Sequence, residues 1–426
     1  MKAPAQTSAA KMTHLLVDDP LFTAAIEAIP QPRGRVESDE AFWDAVRGLY
    51  ATTDAISNLE NGFWGVMAEP VKDVYLRWTD RVNRENTFFI RAAWAEAAES
   101  VRTGLAEALA CSPAEVVLTR GATEAMLALV SGYNGLRPGD TVLYCDLDYP
   151  SVRNAMAWLR ERRGVEPASF AIPEPATREN VLEAYRRMLA RHPRTRLVLL
   201  THLSHCTGLV MPVREIAAMA REAGADVVVD AAHSWGQMDF DIADLDAPFV
   251  ALNLHKWIGA PLGCGAMYIR KDRLGAIDRY LGDRDWPEDD IRSRIHTGSP
   301  NFAAWLALPA ALALHRRIGA RAKEARLRHL RNAWVAQARE LPGVEILTPD
   351  DPAMVAGMTA LRLRGATTSE HNEAIVATLR DTHGVLTVRR NGPERGDVVR
   401  VTPALFTRHA DLDRLVVGLR ALSSGR

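Results

Sequence analysis

Five short segments put chemically capable side chains directly after apolar runs. The first is Gly121-Ala122-Thr123-Glu124. Small residues let a backbone approach a ligand closely, and the helix start that follows offers free N–H groups and a hydroxyl to an anion. The second, Asp146-Leu147-Asp148-Tyr149, supplies an aromatic face in Tyr149. The third, Thr201 to Gly208, holds His202, Ser204, His205 and Thr207. The fourth is Val227-Val228-Val229-Asp230-Ala231-Ala232-His233, where a carboxylate closes an apolar run. Such a carboxylate is buried and requires a cationic partner. The fifth, Asn253-Leu254-His255-Lys256-Trp257, leads into a glycine-rich stretch. Desolvation lowers a lysine pKa, and the neutral amine is the nucleophile that forms a Schiff base.

Taken singly, each segment has a plainer explanation. Thr123 or Glu124 caps a helix, Tyr149 packs, and a lone lysine is a surface charge. Their order narrows the chemistry: an anion cradle, an aromatic, a polar cluster, Asp230, then Lys256, 26 positions on (230 to 256). Pyridoxal 5′-phosphate (PLP) needs that set: a phosphate seat, a ring-face contact, a partner for its 3′-oxygen, an acid for its pyridine nitrogen, and an amine.

The elements that must position these residues are legible in outline. Apolar spacing predicts a helix over Asp39–Tyr50 and another over Ala92–Ala110, ended by Pro113. Then short β-branched runs alternate with amphipathic stretches. Strands are expected at Val116–Thr119, Val142–Cys145, Leu197–Thr201, Val227–Asp230 and Phe249–Asn253. Helices are expected at Thr123–Tyr133, Val152–Arg162, Arg178–Arg191 and Val213–Ala223. Strand–helix alternation implies a mainly parallel sheet covered by helices, with ligands beyond the strands' carboxyl ends. A long helical stretch over 305–341 leads into short strands at Val344–Leu347, Thr359–Leu363, Val385–Val388 and Val398–Thr402. Helices at Ser369–Thr382 and Asp411–Leu422 complete this part. The expected organisation is an arm over 1–60, a large α/β domain over 61–305 and a smaller α+β domain over 306–426.

Length and composition fit this picture. At 426 residues, with 47% hydrophobic and 25% charged residues, the chain has enough material for more than one core. A net charge of −1 gives no reason to expect nucleic acid or an anionic membrane as partner. Cys111, Cys145, Cys206 and Cys264 form no CxxC pair, so neither a metal site nor a disulfide framework is expected. Met1–Met12 has no apolar leader core, and no apolar run is long enough to span a bilayer, so the expectation is a cytoplasmic protein.

The pattern resembles the class V aminotransferase-like group of fold-type I PLP enzymes, within it the isopenicillin N epimerase-like proteins. The resemblance rests on Asn58-Leu59-Glu60-Asn61-Gly62, Arg120 to Ala125, Asp146 to Pro150, Thr201 to Gly208, Asp230 to Ser234, His255-Lys256-Trp257 and His296 to Asn301. It runs from about residue 40 to the end. It implies the fold-type I architecture, with Lys256 as the Schiff-base lysine and proton shuttle and Asp230 on the pyridine nitrogen. His233 and His205 would approach the 3′-oxygen, with Tyr149 stacked on the ring. Gly121, Ala122, Thr123, Asn253 and His255 would hold the phosphate. Ser299 would reach the phosphate of a neighbouring subunit, which requires a homodimer with shared sites. Arg400, with Asn61, would bind the carboxylate of an amino-acid-like substrate; a guanidinium suits that task. Cysteine desulfurases carry a nucleophilic cysteine in the C-terminal part, and here no cysteine follows Cys264.

The resemblance leaves the reaction open between β-elimination of the C–S lyase type and epimerisation. Transamination and oxidative decarboxylation–deamination stand as alternatives, and a catalytically inactive binding protein as a remote one.

Overall fold

β-Branched runs between amphipathic stretches fold here as a helix-covered sheet. The computed structural model describes residues 19–424, so the expectation for Met1–Met12 lies outside the described residues. Seven strands make the large sheet: β1 (Val116–Thr119), β2 (Thr141–Cys145), β3 (Glu166–Phe170), β4 (Thr195–Thr201), β5 (Asp226–Asp230), β6 (Phe249–Asn253) and β7 (Gly265–Ile269). Their order is β1-β7-β6-β5-β4-β2-β3. β7 runs antiparallel to both neighbours, and the other pairings are parallel. β6 and β7 are buried along their whole length, and for β6 this is why it reads as a continuous apolar run.

Helices Ala122–Gly132, Pro150–Arg163, Arg178–Arg191 and Val213–Glu222 lie where the spacing predicts them. β3 was not expected. It sits at the sheet edge with half-exposed residues and carries Pro167, which an edge tolerates. β7 follows the glycine-rich stretch after Lys256, and that composition hid it. The expected single helix over 305–341 is two, Phe302–Ile318 and Ala320–Arg339, with Pro309 inside the first. They part at Gly319, whose φ of 92° suits glycine.

A second sheet has β8 (Val344–Ile346), β9 (Thr359–Leu363), β10 (Val388–Arg390) and β11 (Val398–Val401), antiparallel in the order β10-β11-β9-β8. Its apolar cluster includes Trp334, Leu361, Ile375, Val399 and Leu415. The strand expected over Val385–Val388 is divided. Val385–Leu386 pairs in parallel with Ser57–Asn58, and Glu60 bridges to Thr402. The segment before residue 60 is more than an arm. Phe22, Phe42, Trp43 and Val46 are buried in the same core as the large sheet. Together these pairings bring the Asn58–Gly62 turn to the carboxyl ends of β4, β5 and β6, against β11.

Candidate active site

The carboxyl ends of β1, β2, β4, β5 and β6 converge on a cavity of about 390 Å³. Lys256 enters it from the loop after β6. That loop is held on both sides. Gly65 donates its N–H to the His255 carbonyl at 2.8 Å and lies so close to the Lys256 carbonyl that a side chain there would overlap it. From the other side the buried ammonium of Lys323 donates to the Trp257 carbonyl at 2.6 Å and lies 3.1 Å from His315 Nδ1.

Lys256 Nζ stands 2.8 Å from His233 Nε2. Burial brings its pKa down to about 7; Asp230 opposes this shift, and Arg400 and Arg390 reinforce it. His233 is itself held well below the ordinary histidine range by burial, then by Lys256. Its buried Nδ1 has no hydrogen-bond partner among the described residues.

Asp230 closes β5 and is 6% exposed. It accepts the Ala232 N–H at 2.9 Å, and burial raises its pKa above the ordinary value. A carboxylate so placed calls for a cation, and a protonated ring nitrogen is one.

The opposite end of the cavity is built from the start of helix Ala122–Gly132. Gly121 lets the backbone pack closely there: an added Cβ would sit 3.1 Å from Asn253 Oδ1 and 3.3 Å from His255 Cε1. The Ala122 N–H donates to Asn253 Oδ1 at 2.8 Å, so that amide and that oxygen satisfy each other. The Thr123 amide that follows is left to face an anion at the helix start. His255 Nδ1 lies 2.8 Å from the Cys264 carbonyl, which can only accept, so Nδ1 carries the proton and Nε2 is left for the cavity.

Tyr149 is placed by Asp148, whose carboxylate accepts from Cys145 N (2.7 Å), Thr201 N (3.0 Å) and Thr201 Oγ1 (2.7 Å), tying the end of β2 to that of β4. The Tyr149 ring meets His205 edge-on at 5.2 Å. His205 Nε2 lies 3.3 Å from Cys206 Sγ. His202 packs edge-on against Phe240 and does not line the cavity.

Arg400, from β11, is fully buried and lines the cavity. It donates to the His205 carbonyl at 2.6 Å and to both oxygens of Glu60 at 2.8 and 2.7 Å. Arg390 joins the same carboxylate at 3.0 Å. Glu60 and Arg390 were not singled out from sequence, and their neighbours give no local signal: Glu60 lies between Leu59 and Asn61, and Arg390 between Arg389 and Asn391. Lys323 was also missed, because a lysine in an arginine-rich helix reads as solvated.

Two residues of the expected set lie outside this cavity, Asn61 against its expected role and Ser299 as a role toward a neighbouring subunit allows. Asn61 donates to the Asn58 and Thr402 carbonyls, both at 2.9 Å, and does not line the main cavity. Its amide fastens the turn to the end of β11. Ser299 is exposed on the loop beside a separate cavity of about 350 Å³ lined by His296, Gly298 and Trp305.

The donor set fits PLP. A buried amine, a buried carboxylate without an arginine partner among the described residues, a helix start for an anion and a histidine whose ring nitrogen is orphaned among them meet around one cavity.

Comparison with known proteins agrees. The family model for aminotransferase class-V matches residues 66–411. Isopenicillin N epimerase of Streptomyces clavuligerus is 27% identical over 401 residues, covering 90% of this chain and 99% of that protein. A cysteine desulfurase of Pectobacterium atrosepticum is 28% identical over 351 residues, covering 76% and 82%. Among solved structures, the apo cysteine desulfurase from Thermococcus onnurineus NA1 superposes with a TM-score of 0.77 at 20% identity, over 90% of this chain and 98% of that one. The cystine C–S lyase C-DES, in complex with cysteine persulfide, gives 0.74 at 23% identity, over 86% and 97%. These superpositions establish the fold-type I architecture, and the family match establishes the rest: the chain belongs to the aminotransferase class-V family and is a PLP-dependent enzyme.

Proposed function

We propose that the enzyme carries out a one-base reaction at Cα of a carboxylate-bearing amino acid, with α,β-elimination from a cysteine S-conjugate as its leading activity. Bound PLP supplies an electron sink for the charge left at Cα. Lys256 holds the cofactor and moves the Cα proton; an amine with a pKa of about 7 exchanges protons readily at neutral pH. His233 orients that amine across 2.8 Å. Asp230 keeps the pyridine nitrogen protonated, the Thr123 helix start holds the phosphate with His255 as a second donor once Nε2 is protonated, and Arg400 takes the substrate carboxylate.

The observation that carries the one-base reading is the setting of His205. Its Nε2 is turned to Cys206 Sγ at 3.3 Å, and burial holds its pKa well below the ordinary range. Elimination needs one base beside Cα. Epimerisation needs a second on the opposite side. That second reading is favoured by the near full-length similarity to the Streptomyces clavuligerus epimerase, and it would assign the second acid to Tyr149, which is 38% exposed at the cavity mouth.

We further propose a homodimer in which Ser299 serves the neighbouring site. Exposed Phe63, Trp64 and Leu262 support this reading: Phe63 and Leu262 line the cavity, and apolar surface of this kind is suited to burial by a partner.

The deciding experiment is proton NMR of the holoenzyme in D₂O with L-amino acids and cysteine S-conjugates. Pyruvate and free thiol accumulating from a conjugate supports elimination. Cα deuteration with inversion and no new product rejects it in favour of epimerisation.

A further inference from the structure

The arginine proposed to receive substrate is already occupied. Glu60 places both carboxylate oxygens on Arg400 Nη2, at 2.8 and 2.7 Å, and one of them also takes Arg390 Nη2 at 3.0 Å. The trio sets a fully buried guanidinium, that of Arg400, and a partly buried one, that of Arg390, against one carboxylate, leaving one unit of positive charge in excess beside the cavity. Arg400 and Arg390 each keep a buried Nε without a hydrogen-bond partner among the described residues. A buried, unpaired guanidinium donor is costly unless an anion completes it. Both arginines line the cavity, and Gly62 packs directly on the grip, since an added Cβ there would lie 2.5 Å from Arg400 Nη2.

We propose that Glu60 is a specificity-determining residue. It stands in for the substrate carboxylate on Arg400, and it moves onto Arg390 when a monocarboxylate arrives. The exchange is short, because Glu60 Oε1 already touches Arg390 and has only to give up Arg400. It selects ligands that bring one carboxylate to this end of the cavity, since one further negative charge neutralises the trio. A neutral ligand gains nothing by displacing Glu60 and is rejected. This inference rests on the reading of Arg400 as the carboxylate grip.

The test is a titration of the holoenzyme with propionate, an unreactive monocarboxylate, and with propionamide, its neutral counterpart, followed by ligand-observed NMR. Removing the internal competitor in Glu60→Gln is expected to tighten propionate binding by about tenfold and to leave propionamide unchanged. Arg390→Gln is expected to weaken propionate, because Glu60 then stays on Arg400. Unchanged or weaker propionate binding in Glu60→Gln overturns the proposal. If that variant does not fold, unaltered propionate binding in Arg390→Gln overturns it instead. Arg400→Gln separates the two levels. If it binds propionate as tightly as the unaltered enzyme, the carboxylate-grip reading itself fails. If it loses propionate while Glu60→Gln gains none, only the exchange fails.

Discussion

Lys256 shows how a single residue acquires its chemistry from its surroundings. The neutral amine is the reactive form, so lowering its pKa raises its fraction at neutral pH. Cofactor capture by the apo chain should therefore rise with pH through about 7, not near the ordinary 10.5. Stopped-flow absorbance checks this, and a rate that climbs only near the ordinary lysine value contradicts it. Asp230 acts on the other side of the cofactor. Asp230→Ala should still bind PLP but lose roughly 10²–10³-fold in kcat, the usual cost of removing one electrostatic stabiliser. Normal turnover in that variant would remove Asp230 from the electron-sink role. Both residues were singled out from the sequence, Asp230 as a charge closing an apolar strand and Lys256 by its place after it in the ordered set of segments. Glu60 and Arg390 were not, because their meaning lies in each other and in Arg400, more than 300 residues from Glu60 along the chain.

At the scale of elements, the site depends on how tightly the Lys256 loop is held. Gly65 packs on the Lys256 carbonyl with no room for a side chain. Gly65→Ala should cost about 1–3 kcal/mol through overpacking, read as a lower unfolding midpoint, and should weaken PLP retention as well. A variant that keeps both would show that the loop has slack. The strands that deliver the cavity residues were readable from their apolar runs and from the helices between them. β3 and β7 were not. An edge strand with proline and serine lacks the apolar signal, and β7 is masked by the glycines that precede it. The turn at Asn58–Gly62 was legible only through the resemblance. Its pairing with Val385–Leu386 is a contact between distant segments that no local pattern encodes.

At the scale of the whole molecule, two sheets and the segment of Gly62 and Phe63 combine to close one cavity, and its rim carries exposed Phe63 and Leu262. A dimer should therefore be the species in solution. Sedimentation equilibrium giving a dimer mass agrees, and a monomer that is fully active contradicts the shared site. No helix among the described residues is long and apolar enough to cross a membrane. The central claim, that Lys256 is the residue that carries the cofactor, has a control built into the molecule. Lys323 is also buried and also has its pKa brought down to about 7, yet it does not line the main cavity. The most direct measurement is borohydride reduction of the PLP-loaded enzyme followed by peptide mass mapping. The expected result is a single pyridoxyl adduct on Lys256, lost in Lys256→Ala. An adduct on Lys323, or none at all, would contradict the account.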